Sequence, residues 1–196
     1  MVNTIEVYSI TKGTEVNGPG KRYMVHVQGC TLGCKGCFNT ITWPTKSETS
    51  SSLDIAVLAE DLLDSDIDGI TISGGEPLQQ PEAVIRLIRI LKASGVDVLL
   101  YTGYTKAEVD DAGYLGTLTD LVDTIVFGRF EKDKLIPQPH TQLRGSYNQE
   151  VFTKTGEDSS EGASMNLEFH IEPGKVEITG FPGRDLIKLT KRELGV

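Results

Sequence analysis

Three short apolar segments that alternate with helical segments constrain the fold of this chain most strongly. Residues 69–73, 96–101 and 122–127 are almost continuously apolar, which is typical of strands covered on both faces of a parallel sheet. Apolar residues recur at helical spacing over 81–93, and a Thr-Lys-Ala-Glu capping box at 105–108 begins another helix. This alternation predicts an α/β fold in which parallel strands are joined by right-handed crossovers.

The N-terminal part of the chain adds two strands and a helix to this pattern. Residues 4–10 and 22–28 are predicted strands, separated by a turn rich in Asn, Gly and Pro. A helix with an apolar stripe is predicted after Ser51 or Ser52, because either hydroxyl can accept a hydrogen bond from the first helical amides.

Length and composition predict one domain over residues 1–196, with its core at about 5–150. Residues 153–164 are polar and small and predict a mobile loop, and 166–196 contain a predicted β-hairpin followed by a tail without an assigned role. The formal net charge of -9 argues against nucleic acid or an anionic membrane as the main partner. No apolar run approaches the roughly 20 residues that span a bilayer.

All three cysteines of the chain lie in one short run, Cys30-Thr-Leu-Gly-Cys34-Lys-Gly-Cys37. Three thiolates can hold three irons of a four-iron cluster, which leaves one iron open to a ligand. Catalytic metal sites keep such an open position, whereas structural sites close it with a further protein ligand. Cys30, Cys34 and Cys37 are therefore the predicted cluster ligands, and Gly36 lets the backbone approach the cluster.

Two other uses of these thiols remain open from the residues alone. A disulfide would leave the third thiol unpaired, and the N-terminus shows no export signal, so we expect reduced cysteines in a cytoplasmic protein. A zinc site would need a histidine as its fourth ligand, and the candidates are His26, His140 and His170. Zinc motifs usually supply a second pair of ligands, which this sequence does not show.

The cysteine run, together with Gly74-Gly75-Glu76-Pro77 downstream, resembles the radical S-adenosylmethionine enzymes. Three further segments resemble the activating proteins of anaerobic ribonucleotide reductases: Asn-Gly-Pro-Gly-Lys-Arg at 17–22, Cys-Phe-Asn-Thr-Ile-Thr-Trp at 37–43 and Arg-Gly-Ser-Tyr-Asn-Gln at 144–149. The chain departs from the family at Phe38, where tyrosine is usual.

The resemblance implies a small partial (β/α) barrel of mainly parallel strands, with the hairpin as a C-terminal extension. It implies an oxidoreductase with one 4Fe-4S cluster that cleaves S-adenosylmethionine reductively and yields a 5′-deoxyadenosyl radical. This radical would generate a glycyl radical on a partner protein, with an anaerobic ribonucleoside-triphosphate reductase as the expected partner. A flavodoxin- or ferredoxin-type protein would supply the electron, and no catalytic side chains are implied beyond the cluster and cofactor ligands.

The resemblance also assigns the cofactor site, whose predicted residues are Gly36, Cys37, Phe38, Gly74, Gly75, Glu76 and Pro77. Gly75 leaves room for the methionyl group, so added bulk there is expected to weaken cofactor binding and leave the cluster intact. Without the cysteines, the same residues would be an ordinary turn between strand and helix. Because ligands bind at the carboxyl ends of parallel strands, the cysteine loop, this turn and Thr102-Gly103 are expected to converge.

Arg22 and Arg144 are the candidate partner contacts, with ordinary salt bridges as the alternative for each. Two other functions remain as alternatives for the whole chain. One is a radical enzyme that acts on a small molecule or a peptide. The other is a non-enzymatic iron–sulfur or zinc module for redox sensing or scaffolding.

Overall fold

The fold is known from a computed structural model, which describes residues 2–48, 50–63, 66–137, 143–156, 167–172 and 175–180. Seven strands form the main sheet: β1 (Thr4–Thr14), β2 (Arg22–Val27), β3 (Ser51–Asp54), β4 (Gly69–Gly74), β5 (Asp97–Thr102), β6 (Thr124–Phe127) and β7 (Glu150–Thr153). Four helices connect them: α1 (Ile55–Leu62), α2 (Pro81–Ala93), α3 (Lys106–Asp111) and α4 (Leu115–Leu121). Two further strands, β8 (Leu167–Glu172) and β9 (Lys175–Gly180), form a hairpin.

The strand order in the main sheet is β3-β1-β2-β4-β5-β6-β7. The central strands β2, β4, β5 and β6 pair in parallel, which confirms the prediction made from the alternation of strands and helices. Antiparallel strands flank them, with β1 and β3 on one side and β7 on the other. The sheet is therefore mainly parallel, and the carboxyl ends of its four central strands lie along one edge.

The core forms where the helices cover the sheet. The predicted apolar stripe of α1 is buried, and so is the inward face of α2, with Val84, Leu87, Ile88 and Leu91 all fully buried. The strands contribute Val25, Ile70, Ile72, Val98, Leu100 and Ile125 to the same cluster. Each such side chain contributes about 1.5–3 kcal/mol on leaving water, so these contacts hold the strand ends in register.

The N-cap prediction for α1 is wrong. Ser51 and Ser52 belong to β3, where Ser52 pairs with Glu6 of β1. Asp54 caps the helix instead, since its carboxylate accepts from the amides of Ala56 and Val57. The edge of β1 that faces away from β2 needs a partner for its backbone groups, and the serine segment pairs with it.

Arg22 lies at the amino end of β2, opposite to the cysteine loop, and only 1% of its surface is exposed. Its guanidinium donates to Thr71 Oγ1 at 2.9 Å and to Asp97 Oδ1 at 2.6 Å. A Cβ on Gly69 would stand 2.5 Å from the guanidinium carbon, so the glycine makes room for it. The prediction that Arg22 contacts a partner is therefore wrong, because the side chain is buried and hydrogen-bonds to the neighbouring strands β4 and β5.

The predicted C-terminal hairpin is confirmed as β8 and β9. Glu168 accepts from the Glu15 amide at 2.8 Å, and Thr179 Oγ1 accepts from Asn17 Nδ2 at 2.6 Å. Residues 157–164 of the predicted loop, and the predicted tail from 181 onward, lie outside the described residues. Among the helices in the described ranges, none has the length and apolarity to cross a membrane.

Candidate functional site

Three chain segments meet at the carboxyl edge of the sheet, as the sequence predicts. The turn after β4 hydrogen-bonds to the start of the cysteine loop, with Gly75 N donating to Val27 O and Glu76 N donating to Gly29 O, both at 2.8 Å. The cysteine loop also reaches the end of β5, where a Cβ on Gly103 would stand 2.4 Å from Leu32 Cδ1. The strand ends and the cysteine loop thus form one connected surface.

Position 75 requires a glycine because the backbone of the cysteine loop passes close to it. A Cβ there would stand 2.3 Å from Gly29 O, which is closer than real Cβ atoms come to a backbone oxygen. Gly74 is similarly confined by β2 and has φ of +104°, a conformation that favours glycine. Because Gly29 directly precedes Cys30, this close approach argues against the expectation that bulk at Gly75 spares the cluster, and that expectation stays a prediction.

Glu76 is 1% exposed, and its carboxylate is engaged within the protein. Oε1 accepts from Leu78 N at 2.9 Å and from Thr102 Oγ1 at 2.7 Å, and Oε2 accepts from Gly103 N at 2.7 Å. Burial raises the pKa of Glu76, while these three hydrogen bonds act in the opposite direction. The carboxylate fixes the end of β4 against the end of β5, and the buried Pro77 begins the short turn that follows.

The cysteine loop is held by the segment that follows it. Gly29 N donates to Thr42 O at 2.8 Å, and Cys30 N donates to Trp43 O at 2.9 Å. Cys30, Cys34 and Cys37 are all free thiols and are partly exposed at this edge.

Burial raises the pKa of all three thiols, and hydrogen bonds partly oppose it. The groups that lower the pKa values are backbone amides near the sulfurs, those of Leu32 and Gly33 at Cys30, of Phe130 and Cys34 itself at Cys34, and of Asn39 at Cys37, together with the Trp43 side chain at Cys37. An N–H group that donates to sulfur stabilises the thiolate, which is the form that binds metal. Three reduced thiols near backbone amides fit an iron–sulfur cluster.

The thiols also act on one another, since Cys34 raises the pKa of Cys30 and Cys37 raises that of Cys34. They are not gathered into a finished site: the described residues contain no group of three Cys, His, Asp or Glu side chains placed to hold a metal ion. Of the histidines considered for zinc, His26 contacts Ser9 and His170 pairs with Glu168. His140 lies outside the described residues.

Arg129 lies at this edge as well, and no sequence motif marks it. Its guanidinium forms a bidentate ion pair with Glu108, with N···O distances of 2.6 and 2.9 Å, and lies 5.7 Å from the centre of the Tyr104 ring. Its charge lowers the pKa of both Cys34 and Glu76. Its place directly after Gly128 and β6, at the edge where ligands bind, is the signal that could have identified it.

The remaining predicted residues lie on two loops. Phe38 follows Cys37 and is 38% exposed, and Gly36 adopts a φ of +81° with the side chain of Lys132 beside it. Arg144 is half-buried, and its guanidinium donates to Gln149 O at 2.8 Å within its own loop. A partner contact by Arg144 stays a prediction.

Comparison with known proteins agrees with this geometry. The family model for the 4Fe-4S single cluster domain matches residues 16–152. The anaerobic ribonucleoside-triphosphate reductase-activating protein of Vibrio cholerae is 36% identical over 144 residues, which cover 69% of this chain and 90% of that protein. The protein of the same name from Escherichia coli K12 is 35% identical with the same coverage.

A more distant relative is the pyruvate formate-lyase-activating enzyme of Listeria monocytogenes, which is 30% identical over 148 residues. The match covers 72% of this chain and 58% of that enzyme. The range that the family model matches contains the three thiols and the turn after β4. The chain belongs to the radical S-adenosylmethionine family of glycyl-radical activating proteins, among the relatives of the anaerobic ribonucleoside-triphosphate reductase-activating proteins.

Proposed function

We propose that this protein activates an anaerobic ribonucleoside-triphosphate reductase by generating a glycyl radical on it. Cys30, Cys34 and Cys37 would hold one 4Fe-4S cluster, with the fourth iron left for S-adenosylmethionine. The observation that carries the proposal is that the cysteine loop, with its three free thiols, meets the Gly74–Pro77 turn at the carboxyl edge. The names of the relatives support the choice of partner.

The cofactor site is proposed to lie between the cysteine loop and the turn after β4, with Gly36, Cys37, Phe38, Gly74, Gly75, Glu76 and Pro77 as its residues. When bound, the reduced cluster and S-adenosylmethionine supply a radical that takes a hydrogen atom from a glycine. The buried Glu76 keeps the turn at a fixed distance from β5. The partly exposed Phe38 offers an aromatic face beside Cys37.

Several finer features belong to the same proposal. The main sheet curves into a partial (β/α) barrel, and residues 1–196 form one domain with the hairpin as an extension. A flavodoxin- or ferredoxin-type protein donates the electron. The protein works in the cytoplasm, where a reducing environment keeps cluster ligands as thiols.

Anaerobic reconstitution with iron and sulfide tests the cluster. We expect about four irons and four sulfides per chain, and a paramagnetic resonance signal of the reduced cluster that changes on addition of S-adenosylmethionine. Cys34→Ala should abolish iron uptake, whereas Thr31→Ala, in the same loop, should retain it. Binding of stoichiometric zinc in place of iron would contradict the proposal.

Mixing the reduced protein with S-adenosylmethionine and an anaerobic reductase from the same genome tests the reaction. We expect 5′-deoxyadenosine and a glycyl-radical doublet on the reductase. Cofactor cleavage without a radical on any glycyl-radical partner would favour a small molecule or a peptide as the substrate instead.

A further inference from the structure

The loop at residues 144–149 lies at the rim of the candidate cluster site. Its Tyr147 N donates to Lys134 O at 2.9 Å, so the loop runs alongside the segment that follows β6. This segment borders the cysteine loop, because a Cβ on Gly36 would stand 3.0 Å from Cδ of Lys132. A residue exposed on the 144–149 loop is therefore presented close to the place where the proposed cluster binds.

Hydrogen bonds hold the backbone of this loop in place. Gln149 Oε1 accepts from the Ser146 amide at 3.1 Å, and Gln149 Nε2 donates to Gly128 O at 2.9 Å. Asn148 Nδ2 donates to Arg129 O at 2.8 Å, and Ser146 is fully buried. The polar side chains of the loop thus satisfy its own backbone and join it to the end of β6.

Tyr147 is the exception among these residues, because its side chain points away from the loop. It is 56% exposed, and within the described part of the chain its hydroxyl has no hydrogen-bond partner. Its backbone is fixed on both sides, since its N–H donates to Lys134 O and its C=O accepts from Arg144 at 3.3 Å. An exposed aromatic residue on a fixed backbone beside a site is typical of residues that anchor a partner.

The segment after the cysteines presents a second apolar side chain at the same edge. Ile41 is exposed, and its neighbour Thr42 is held against the cysteine loop by the hydrogen bond from Gly29 N to Thr42 O. The two segments that border the cysteine loop therefore each offer one exposed apolar group, and exposed apolar surface of this kind marks interaction sites.

The proposed reaction determines what must bind at this rim. Transfer of a hydrogen atom requires the glycine of the partner to come into contact with the reacting group, so the glycine-bearing segment has to cross the carboxyl edge. Such a segment offers peptide groups, and no side chain at the reacting residue. Tyrosine suits it, because the ring packs against peptide groups while the hydroxyl hydrogen-bonds a backbone N–H or C=O.

Resting on the proposed function, we propose that Tyr147 is a docking residue for the glycine-bearing segment of the reductase, with Ile41 as a second apolar contact. Tyr147 touches the partner protein and neither the cluster nor S-adenosylmethionine. Because the loop is already fixed, it loses little conformational freedom when the partner binds. Tyr147 therefore determines how tightly the reductase binds rather than how fast the bound complex reacts.

The test compares Tyr147→Ala and Tyr147→Phe with Phe169→Ala. Phe169 is the matched control, because it is an aromatic residue with 46% exposure on the hairpin, which is attached at the amino edge of the sheet. Each protein is reconstituted with iron and sulfide and reduced under anaerobic conditions. The initial rate of glycyl-radical formation is then measured by paramagnetic resonance at increasing concentrations of the reductase, with S-adenosylmethionine in excess.

We expect Tyr147→Ala to raise the half-saturating concentration of the reductase about tenfold or more, and excess reductase to restore the wild-type rate. Tyr147→Phe keeps the ring and loses only the hydroxyl, so it should raise this concentration by about two- to fivefold. Phe169→Ala should leave it unchanged.

A half-saturating concentration that is the same for Tyr147→Ala and the wild type overturns the docking proposal alone. A loss of rate that excess reductase does not restore also overturns it, because that loss indicates a damaged site rather than weaker docking. If the wild type forms no radical on the reductase at any concentration, the proposed function fails, and the docking proposal fails with it.

Discussion

At the scale of single residues, Gly75 determines how closely the turn after β4 can approach the cysteine loop. Gly75→Ala would place a methyl group 2.3 Å from Gly29 O, so one of the two backbones must move. We expect lower thermal stability together with reduced iron uptake, measured by calorimetry and iron analysis.

Gly116→Ala is the matched control for this substitution, because nothing lies within 4 Å of a Cβ there and the residue is in α4. It should stabilise the protein by about 0.5–1 kcal/mol, since alanine is the better helix former. Full iron uptake by Gly75→Ala would show that the cysteine loop does not depend on this close approach.

The Glu108–Arg129 pair makes stability depend on pH in a defined direction. Hydrogen bonds from Arg129 lower the pKa of Glu108 from 4.5 to about 2, so the folded state prefers the charged carboxylate. The stabilisation is therefore complete above pH 4.5 and is lost as the pH falls toward 2. The side chains are 38% and 42% exposed, so solvent limits the effect to under about 1 kcal/mol.

Glu108→Gln isolates this effect, because glutamine can keep the capping-box hydrogen bond to Thr105 N. Urea unfolding of both proteins across the acidic range should show a stability difference at neutral pH that shrinks below pH 4.5. A difference that stays constant with pH would mean that the ion pair does not stabilise the fold.

The local motifs of the site could be predicted from sequence, and its supporting residues could not. The cysteine run and the Gly74–Pro77 turn are recognisable because each is contiguous. The positions of Arg129 and of residues 144–149 in the site depend on which strand ends become neighbours, and this is a property of the tertiary fold. The burial of Arg22 could not be predicted, because arginine is rarely buried unless paired and its partner Asp97 is distant in sequence.

At the scale of elements, the predicted strands and helices are largely confirmed because their patterns are long or strictly apolar. The bounds of α2 agree with the prediction, and its buried face is the predicted one. The prediction missed α4, whose N-cap Tyr114 makes no side-chain capping bond, and the four-residue β7, which exists through its pairing with β6. Such elements are defined by their neighbours rather than by their own residues.

The corrected N-cap of α1 gives a prediction at this scale. Asp54→Ala removes the acceptor of the Ala56 and Val57 amides and should lower the free energy of unfolding by about 1 kcal/mol. Ser52→Ala, at an exposed position of β3, should change it by less than about 0.5 kcal/mol. Urea unfolding measures both, and a larger effect at Ser52 would restore the serine cap.

At the scale of the whole molecule, the ion pairs that stabilise the sheet and the candidate cluster site lie at opposite edges of the sheet. The buried Arg22 and its partner Asp97 lie where the parallel strands begin, and Lys92 pairs with Asp123 beside the start of β6. The three thiols and Arg129 lie where these strands end. Charge changes at the amino edge should therefore act on stability alone, whereas changes at the carboxyl edge should also act on the cluster.

The C-terminal hairpin lies beyond the family match, which ends at residue 152, and it is attached to the amino edge of this sheet. A two-stranded hairpin is marginally stable alone, so its order depends on its attachments. Thr179 is 3% exposed and accepts the hydrogen bond from Asn17 Nδ2. Asn17 O in turn accepts a hydrogen bond from the Thr71 hydroxyl, and that hydroxyl accepts one from Arg22 Nε. The hairpin is therefore linked by hydrogen bonds to the buried Arg22, through what we call the arginine network.

Thr179→Val keeps the shape of the side chain and removes only the hydroxyl acceptor. We expect faster amide exchange throughout β8 and β9, from a loss of about 1 kcal/mol of local stability, and unchanged exchange in β4. Thr119→Val is the control, because the Thr119 hydroxyl donates to carbonyls of its own helix and makes no link between elements. Equal protection of β8 and β9 in both variants would mean that the hairpin is held by contacts other than the Asn17–Thr179 bond, and its attachment would then be independent of the arginine network.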